Sequence, residues 1–296
     1  MRPVAGHARI IIQVRRAFGD SMGSWTLDDI PWHRFDPARL DPGIVAIVKA
    51  ASLVEFNGAA YARYLCLVFA DDPAFQERAR QWGEEEVQHG AALARWAVLA
   101  DPGFDFDSAF TRFRDGYRID FDGVRSRRGS RAGEMIARCI VETGTSSYYT
   151  ALREASAEPV LQEICRRIAA DEFRHYRLFY KTLCAYQARE RLGRWTRLKI
   201  ALGRLAESED DELAYAYYAA NVPASASGPA YDRRRAARVY AACACGLYRR
   251  HHVERMAAMV LKAAGFTPNG RLAAVASALA WRAIRWRGGR LGAEIA

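Results

Sequence analysis

The sequence predicts an all-α protein made of two helical hairpins, a long crossover between them and a C-terminal helical extension. Proline is sparse, at 10 of 296 residues, and long runs of alternating apolar and polar residues are absent. Two segments share one motif, a lone Glu followed 30 or 31 residues later by Glu-x-x-His. In both segments the midpoint between the two glutamates coincides with a break in the helical pattern. That symmetry is typical of antiparallel helix pairs.

The first hairpin carries the first copy of the motif. Its first helix, about residues 42–70, contains Glu55, and its second, about residues 73–99, contains Glu86 and His89. Helices joined at the 70–73 break hold Glu55 and Glu86 at the same height. Small residues surround Glu55 and indicate either close helix packing, which we expect, or an open channel: Ala51, Ser52, Gly58, Ala59 and Ala62.

The second hairpin repeats this register. Its first helix, about residues 133–157, contains Glu142, and its second, about residues 159–189, contains Glu172 and His175. The second helix begins at a proline, which suits a first helical turn. Each residue of the motif recurs 86 or 87 positions later. This repeat predicts a pseudo-twofold pair of hairpins, with residues 101–129 as crossover and a short helix near 107–119.

The motif residues lie within apolar helical stripes, not on solvated faces. A bare carboxylate there costs several kcal/mol unless it is paired, hydrogen-bonded or metal-bound. Any one of these residues could be an ordinary helix carboxylate or core histidine, but four carboxylates with two histidines cannot neutralise one another. Two divalent cations can. The pattern predicts a carboxylate-bridged di-iron centre in a four-helix bundle, with di-manganese or mixed iron and manganese as alternatives, and these ligands: Glu55, Glu86, His89, Glu142, Glu172 and His175.

Three further residues are candidates for supporting roles. Glu85 and Asp171 each precede a Glu of the motif, and ligating histidines usually have their second nitrogen held by a carboxylate or carbonyl. Thr145 lies one turn after Glu142 in an unusually hydroxyl-rich helix. Its hydroxyl could face the metals and act in catalysis, or it could bond back to the helix carbonyl near position 141.

The flanking regions are predicted from the positions of prolines and glycines and from the distribution of charge. Residues 1–41 form an N-terminal arm. Residues 1–24 are expected to be poorly ordered, with a mitochondrial-type presequence or a start at Met22 as alternatives, and residues 25–42 are expected to strap across the bundle. The predicted bundle occupies 42–189 and the extension 190–296. Within the extension we expect helices at about 193–205, 210–222, 231–264 and 271–287, with a boundary at 223–229.

The C-terminal extension carries the basic excess of the chain. Residues 186–296 hold 19 Lys and Arg against 9 Asp and Glu, whereas residues 1–185 hold 25 of each. This indicates an anionic partner, such as a membrane surface, or a solvated Arg-rich face. The last helix could lie on a membrane or pack on the bundle, and we expect packing. His251 and His252 show no matching carboxylates in sequence and are expected to be surface or packing residues.

The two hairpins resemble the ferritin-like di-iron carboxylate superfamily over residues 42–187. The stretches EEEVQHG around Glu86 and LQEICRRIAADEFRHY around Glu172 look most like soluble acyl-carrier-protein desaturases, and rubrerythrins are similar at a coarser level. The resemblance implies a ferritin-like bundle with Glu55 and Glu142 as terminal ligands. Desaturases also have a Thr where Thr145 stands, but they have Arg where this chain has Gln88.

The resemblance implies an O2-dependent di-iron oxidoreductase, a desaturase or hydroxylase acting on C–H bonds. Its expected partners are O2, an electron-donor protein such as a ferredoxin or reductase, and an acyl or lipid substrate. The alternative is a rubrerythrin-like or ferritin-like ferroxidase or peroxide scavenger without organic substrate. We expect no transmembrane helix and a cytoplasmic location, with peripheral membrane contact through the basic extension. A homodimer is left open.

Overall fold

The computed structural model describes residues 25–117, 125–207, 211–222 and 230–295, and no strand occurs within these ranges. This confirms the all-α prediction. Three short 3₁₀ turns come first, at Leu27–Asp29, Trp32–Arg34 and Pro37–Arg39. The α-helices, in chain order, are Pro42–Phe56 (α1), Gly58–Val68 (α2), Pro73–Ala100 (α3), Phe106–Gly116 (α4), Arg131–Ala155 (α5), Pro159–Glu190 (α6), Arg194–Glu207 (α7), Asp211–Asn221 (α8), Arg233–Leu247 (α9), Arg250–Ala263 (α10) and Arg271–Ile295 (α11).

The chain divides into two compact units, each assembled from separate stretches of sequence. The first combines Met1–Asp122, Ser156–Ile164 and Asp211–Tyr240, and the second combines Gly123–Ala155, Cys165–Asp210 and Ala241–Ala296. In the first unit, α3 packs on α1 and α2, and α8 packs on α1 and α4. In the second, α10 packs on α5, α7 and α11, and α7 also packs on α5. The domain limits predicted at 41 and 189 stay a prediction.

The first predicted helix is two helices. We expected one helix over 42–70, but α1 ends at Phe56 and α2 begins at Gly58, with Asn57 between them at φ −82° and ψ 2°. The Asn57 N–H bonds to the Val54 carbonyl, which tightens the last turn. Asn and Gly are both poor helix formers, so the break falls at the weakest point of the segment. The break lies two residues after Glu55 and ends the turn that carries this residue.

Close packing, rather than a channel, surrounds Glu55. A Cβ added at Gly58 would lie 2.2 Å from the Cβ of Glu86, and one added at Gly90 would lie 2.3 Å from the backbone nitrogen of Phe56. Neither position has room for a side chain. The two glycines let α3 approach α1 and α2 at the height of the motif residues, as the small residues of this region indicated.

The strap predicted over 25–42 is present and anchored. Trp25, Leu27 and Ile30 are buried. The Gln88 side-chain amide donates to the Trp25 carbonyl at 2.9 Å, and the Arg95 guanidinium stacks over the Trp32 ring at 4.1 Å. The strap therefore belongs to the core of the first unit. The expectations for residues 1–24, including a start at Met22, lie outside the described residues.

Glu158 starts α6 and ties it to α3. Its buried carboxylate accepts hydrogen bonds from the Leu161 N–H at 2.7 Å and from the Trp96 indole N–H at 2.7 Å. A carboxylate at a helix N-terminus also offsets the positive end of the helix dipole. The sequence placed a break between helices beside position 157. The structure shows there the start of α6, capped by Glu158.

The long helix predicted over 231–264 is also two helices. α9 ends at Leu247 and α10 begins at Arg250, where the Arg249 N–H donates to His252 Nδ1 at 3.0 Å. Gly265, at φ +84°, ends α10 as expected. The last helix runs to Ile295, beyond the predicted end at 287. The boundary predicted at 223–229 lies outside the described residues.

One described stretch, Pro42–Val68, is long and apolar enough to cross a membrane by length and composition alone. Half of its most apolar window is buried inside the protein. The stretch is interrupted at Asn57 and carries the buried Glu55. These features are typical of the core helix of a globular unit.

Candidate metal centre

The first unit brings together the three motif residues of the first hairpin. Glu55 lies on α1, and Glu86 and His89 lie one turn apart on α3, all three buried. The imidazole Nδ1 of His89 lies 3.8 Å from Glu55 Oε2 and 3.9 Å from Glu86 Oε2. One ligand atom from each residue lies within 4.8 Å of the others. We call these three residues the first half-site.

The second unit repeats this arrangement. Glu142 lies on α5, and Glu172 and His175 lie one turn apart on α6, again all buried. His175 Nδ1 lies 3.7 Å from Glu142 Oε2 and 3.8 Å from Glu172 Oε2. We call these residues the second half-site. The matching distances show that the sequence repeat is also a repeat of local geometry.

Both half-sites fit a divalent cation. Nitrogen and carboxylate ligands bind such ions at about 2.1 Å, so two ligands of one ion lie at most about 4.2 Å apart. The separations of 3.7–3.9 Å are within that limit and longer than a hydrogen bond. Two carboxylates and one neutral imidazole also carry the charge that one divalent cation balances. Buried Glu and His clusters able to hold metal are therefore present in the described residues.

Glu142 shows most directly that an ionised carboxylate is costly in these buried clusters. Its side chain is 1 % exposed, and neither carboxylate oxygen accepts a hydrogen bond within the described structure. Burial, together with the nearby charge of Glu172, raises the pKa of Glu142 from 4.5 to about 8, and His175 acts in the opposite direction. Without a metal this residue holds a proton near neutral pH. A divalent cation would replace that proton.

The Thr145 hydroxyl donates to Glu172 Oε2 at 2.6 Å. The carbonyls of Val141 and Glu142 lie farther away, at 3.3 and 3.4 Å. Because the hydroxyl has one proton, the short bond to the carboxylate is the main one. Other hydroxyls of α5 bond back to the helix, as Thr150 does to the Ser146 carbonyl at 2.7 Å. Of Thr145 and Thr150, only Thr145 donates its hydroxyl proton to a residue of the second half-site.

The two carboxylates predicted to support the histidines are both buried. Glu85 lies on α3, and Asp171 lies on α6. Asp171 Oδ1 accepts from the Arg174 guanidinium at 2.5 Å. The assignment of Glu85 and Asp171 as partners of the ligating imidazoles stays a prediction.

Trp25 is a site residue that sequence reasoning missed. Its ring stacks on the His89 imidazole, with centroids 6.0 Å apart and an interplanar angle of 6°. The side-chain amide of Gln88 donates a hydrogen bond to the Trp25 carbonyl. In the sequence, Gln88 stood out only because the desaturases have Arg at this position. The aromatic-rich composition of residues 25–42 was the signal in the sequence. Nothing in the sequence indicated which tryptophan covers which histidine.

A further cluster lies within the second unit, where Glu154, His251 and His252 meet. Sequence reasoning found no carboxylate for these histidines, and the structure corrects this. His251 Nε2 lies 3.3 Å from Glu154 Oε1, and His252 Nε2 lies 3.3 Å from Glu154 Oε2. Burial would raise the pKa of Glu154, but the two histidines together hold it below its ordinary value.

The protonation of His252 argues against a metal at this cluster. Its Nδ1 accepts the Arg249 N–H, so the neutral ring carries its proton on Nε2, the atom that faces Glu154. Burial and the neighbouring His251 lower the pKa of His252, which favours this neutral form. A metal would need the lone pair of Nε2. The cluster therefore joins the end of α5 to the start of α10 electrostatically.

No family model matches the chain, and no curated protein matches it significantly. The fold and the half-sites define a helical protein with repeated, buried carboxylate and histidine clusters that can bind metal.

Proposed function

We propose that this protein is an O2-dependent di-iron oxidoreductase with a ferritin-like four-helix bundle, and that its two half-sites supply the ligands of two iron ions. Manganese, alone or with iron, is the alternative metal, because the same oxygen and nitrogen ligands suit both. The proposed reaction either removes two hydrogen atoms from an acyl or lipid substrate to form a double bond, or hydroxylates one of its C–H bonds. The fold and reaction type rest on the resemblance of the Glu-x-x-His segments to the desaturases.

One observation supports the metal proposal above all others. The carboxylate of Glu142 is buried, its oxygens accept no hydrogen bond within the described structure, and it belongs to a motif that occurs twice. Each half-site presents two carboxylates and one imidazole, and each can balance one divalent charge. A proton on Glu142 would neutralise only part of this buried charge. Two cations would neutralise both half-sites without any further group.

Bound iron would supply the redox chemistry with O2, and the protein residues would position the groups around it. Thr145 would orient the Glu172 carboxylate through its hydroxyl proton. Trp25 would cover the His89 ring and keep bulk water from that side of the first half-site. Gly58 and Gly90 would keep α3 close enough to α2 and α1 to hold Glu55 beside His89.

The electron balance of the reaction requires a donor protein. Removing two hydrogen atoms from a substrate releases two electrons, whereas reducing O2 to two water molecules takes four. The other two electrons must come from outside, together with two protons. The proposal therefore includes a ferredoxin-like or reductase partner.

The test measures O2 consumption, H2O2 release and Fe(II) oxidation by the iron-loaded protein with a chemical reductant. The variants are Thr145→Val and the control Thr150→Val, which removes a similar hydroxyl that bonds only to the helix backbone. We expect one round of O2 consumption by the wild type, slowed about tenfold or more in Thr145→Val and unchanged in the control. Continuous Fe(II) or peroxide turnover without an acceptor would favour the ferroxidase or peroxidase alternative. No O2 consumption would refute the proposal.

A further inference from the structure

The most exposed large apolar side chains of the protein are concentrated on two helices of the second unit. Among the described residues, six of the seven lie on α7 or α11: Trp195, Leu202, Leu272, Val275, Leu279 and Trp286. The seventh, Leu67, lies on α2 in the first unit. Scattered exposed apolar residues need no explanation, but a concentration on two helices of one unit does.

Helix α11 presents four large apolar side chains outward. It buries Ala273 and Ser277 and exposes Leu272, Val275 and Leu279. At 100° per residue, the three exposed positions and Trp286 fall within an arc of about 60°. A helix that served only to pack would bury its large residues and expose its small ones. We call this exposed stripe of Leu272, Val275, Leu279 and Trp286 the α11 stripe.

Arginines accompany the α11 stripe. The helix carries five of them, Arg271, Arg282, Arg285, Arg287 and Arg290, and its sequence contains one acid, Glu294. Arg271 and Arg282 lie within about 40° of Val275 around the helix. The Arg290 guanidinium lies 5.6 Å from the centre of the Trp286 ring, which is 67 % exposed. Apolar and cationic groups thus share one solvent-facing side.

We propose that the α11 stripe binds a membrane surface that contains anionic phospholipids, lying in the plane of the interface. Leucine and valine side chains enter the acyl boundary, tryptophan prefers the headgroup level, and arginines contact lipid phosphates. This proposal does not depend on the metal proposal.

The charge of the stripe disfavours other occupants. A second copy of the chain, paired through the same face, would bring Arg271 and Arg282 of one copy close to the same arginines of the other. A nucleic acid would pair with the arginines and leave the leucine and valine side chains without a partner. An anionic bilayer complements both features at once.

The test is sedimentation of the full chain with phospholipid vesicles, either phosphatidylcholine alone or phosphatidylcholine with phosphatidylglycerol. We expect binding to the anionic vesicles only, weakened by salt. The double variant Leu279→Ala/Trp286→Ala should lose at least tenfold in affinity. Arg282→Gln should lose about fivefold. The control Leu67→Ala, an exposed leucine of the first unit, should bind as the wild type does.

Four results would overturn the proposal. These are absence of binding to anionic vesicles, equal binding to both kinds of vesicle, equal binding by the double variant, and a lipid-free dimer that the double variant dissociates. All substituted side chains are exposed, so the variants should retain the wild-type thermal unfolding midpoint. A check of that midpoint separates lost binding from lost folding.

Discussion

The substitution Glu142→Gln tests whether a proton replaces the metal at the second half-site. Glutamine keeps the size of the side chain but cannot ionise. In the metal-free wild type the folded state keeps the Glu142 proton up to a pKa of about 8, whereas the unfolded chain releases it near 4.5. Between these values the folded state binds more protons than the unfolded state, so the free energy of unfolding decreases as pH rises.

The size of this effect follows from the pKa difference. At about 1.4 kcal/mol per pH unit, the contribution between 4.5 and 8 reaches at most about 5 kcal/mol. Between about pH 6 and pH 8 the wild type should therefore lose up to about 2.7 kcal/mol that Glu142→Gln does not lose. Titrating groups distant from Glu142 affect both proteins alike, so the difference between them reports Glu142 together with its interactions with Glu172 and His175.

The assay is urea unfolding with a chelator present, at both pH values. Glu77, whose side chain is 72 % exposed, provides the control Glu77→Gln, which should follow the wild type. Added Mn(II) should stabilise the wild type more at the higher pH, since the metal needs the carboxylate form. Parallel pH dependence in the wild type and in Glu142→Gln would refute the electrostatic account of this residue.

Two further substitutions test the helix packing and the start of α6, and one tests the hydroxyl at the second half-site. Gly90→Ala should destabilise the protein by about 1–3 kcal/mol, because the backbone of Phe56 cannot move away; Gly203→Ala, with open space around it, should stabilise by up to about 1 kcal/mol. Urea unfolding measures both, and equal effects would contradict the packing argument. Glu158→Ala should cost about 1–3 kcal/mol by stranding buried donors, and an unchanged thermal midpoint would argue against it. Thr145→Ser should restore most of the O2 consumption lost in Thr145→Val, and its failure to do so would weaken the hydroxyl assignment.

The sequence predicted the limits of most helices closely, and it failed where a helix is broken in the middle. α3, α5 and α6 match their predicted limits within about two residues, because an apolar stripe of constant period and a proline or capping residue mark their ends. The breaks at Asn57 and near Arg249 were missed. Both are local events, a tight turn at an Asn-Gly pair and a histidine that caps a helix, and neither interrupts the apolar pattern.

Within each half-site the sequence also predicted which residues meet. Glu-x-x-His places two ligands on one helix face, and the hairpin midpoint places the lone Glu opposite them. The contacts of Trp25 with His89 and of Glu154 with His251 were not predictable in this way. They join segments far apart in sequence, and no periodicity relates such segments.

The charge pattern of the C-terminal region was visible in the sequence, but the exposed side of α11 was not. We expected the leucine and valine stripe of this helix to pack on the protein. The described structure buries Ala273 and Ser277 in its place. Helix α10 packs on α11, and the periodicity of α11 alone does not show which of its sides is covered.

Metal content per chain tests the central claim most directly. The protein would be loaded with Fe(II) without oxygen, separated from free metal and analysed for bound iron, alongside Glu86→Ala, Glu142→Ala and the control Glu154→Ala. The account predicts two iron ions per chain in the wild type and in the control, and one or none in the two half-site variants. Iron that remains in Glu86→Ala and Glu142→Ala, or a wild type that binds none, would contradict it.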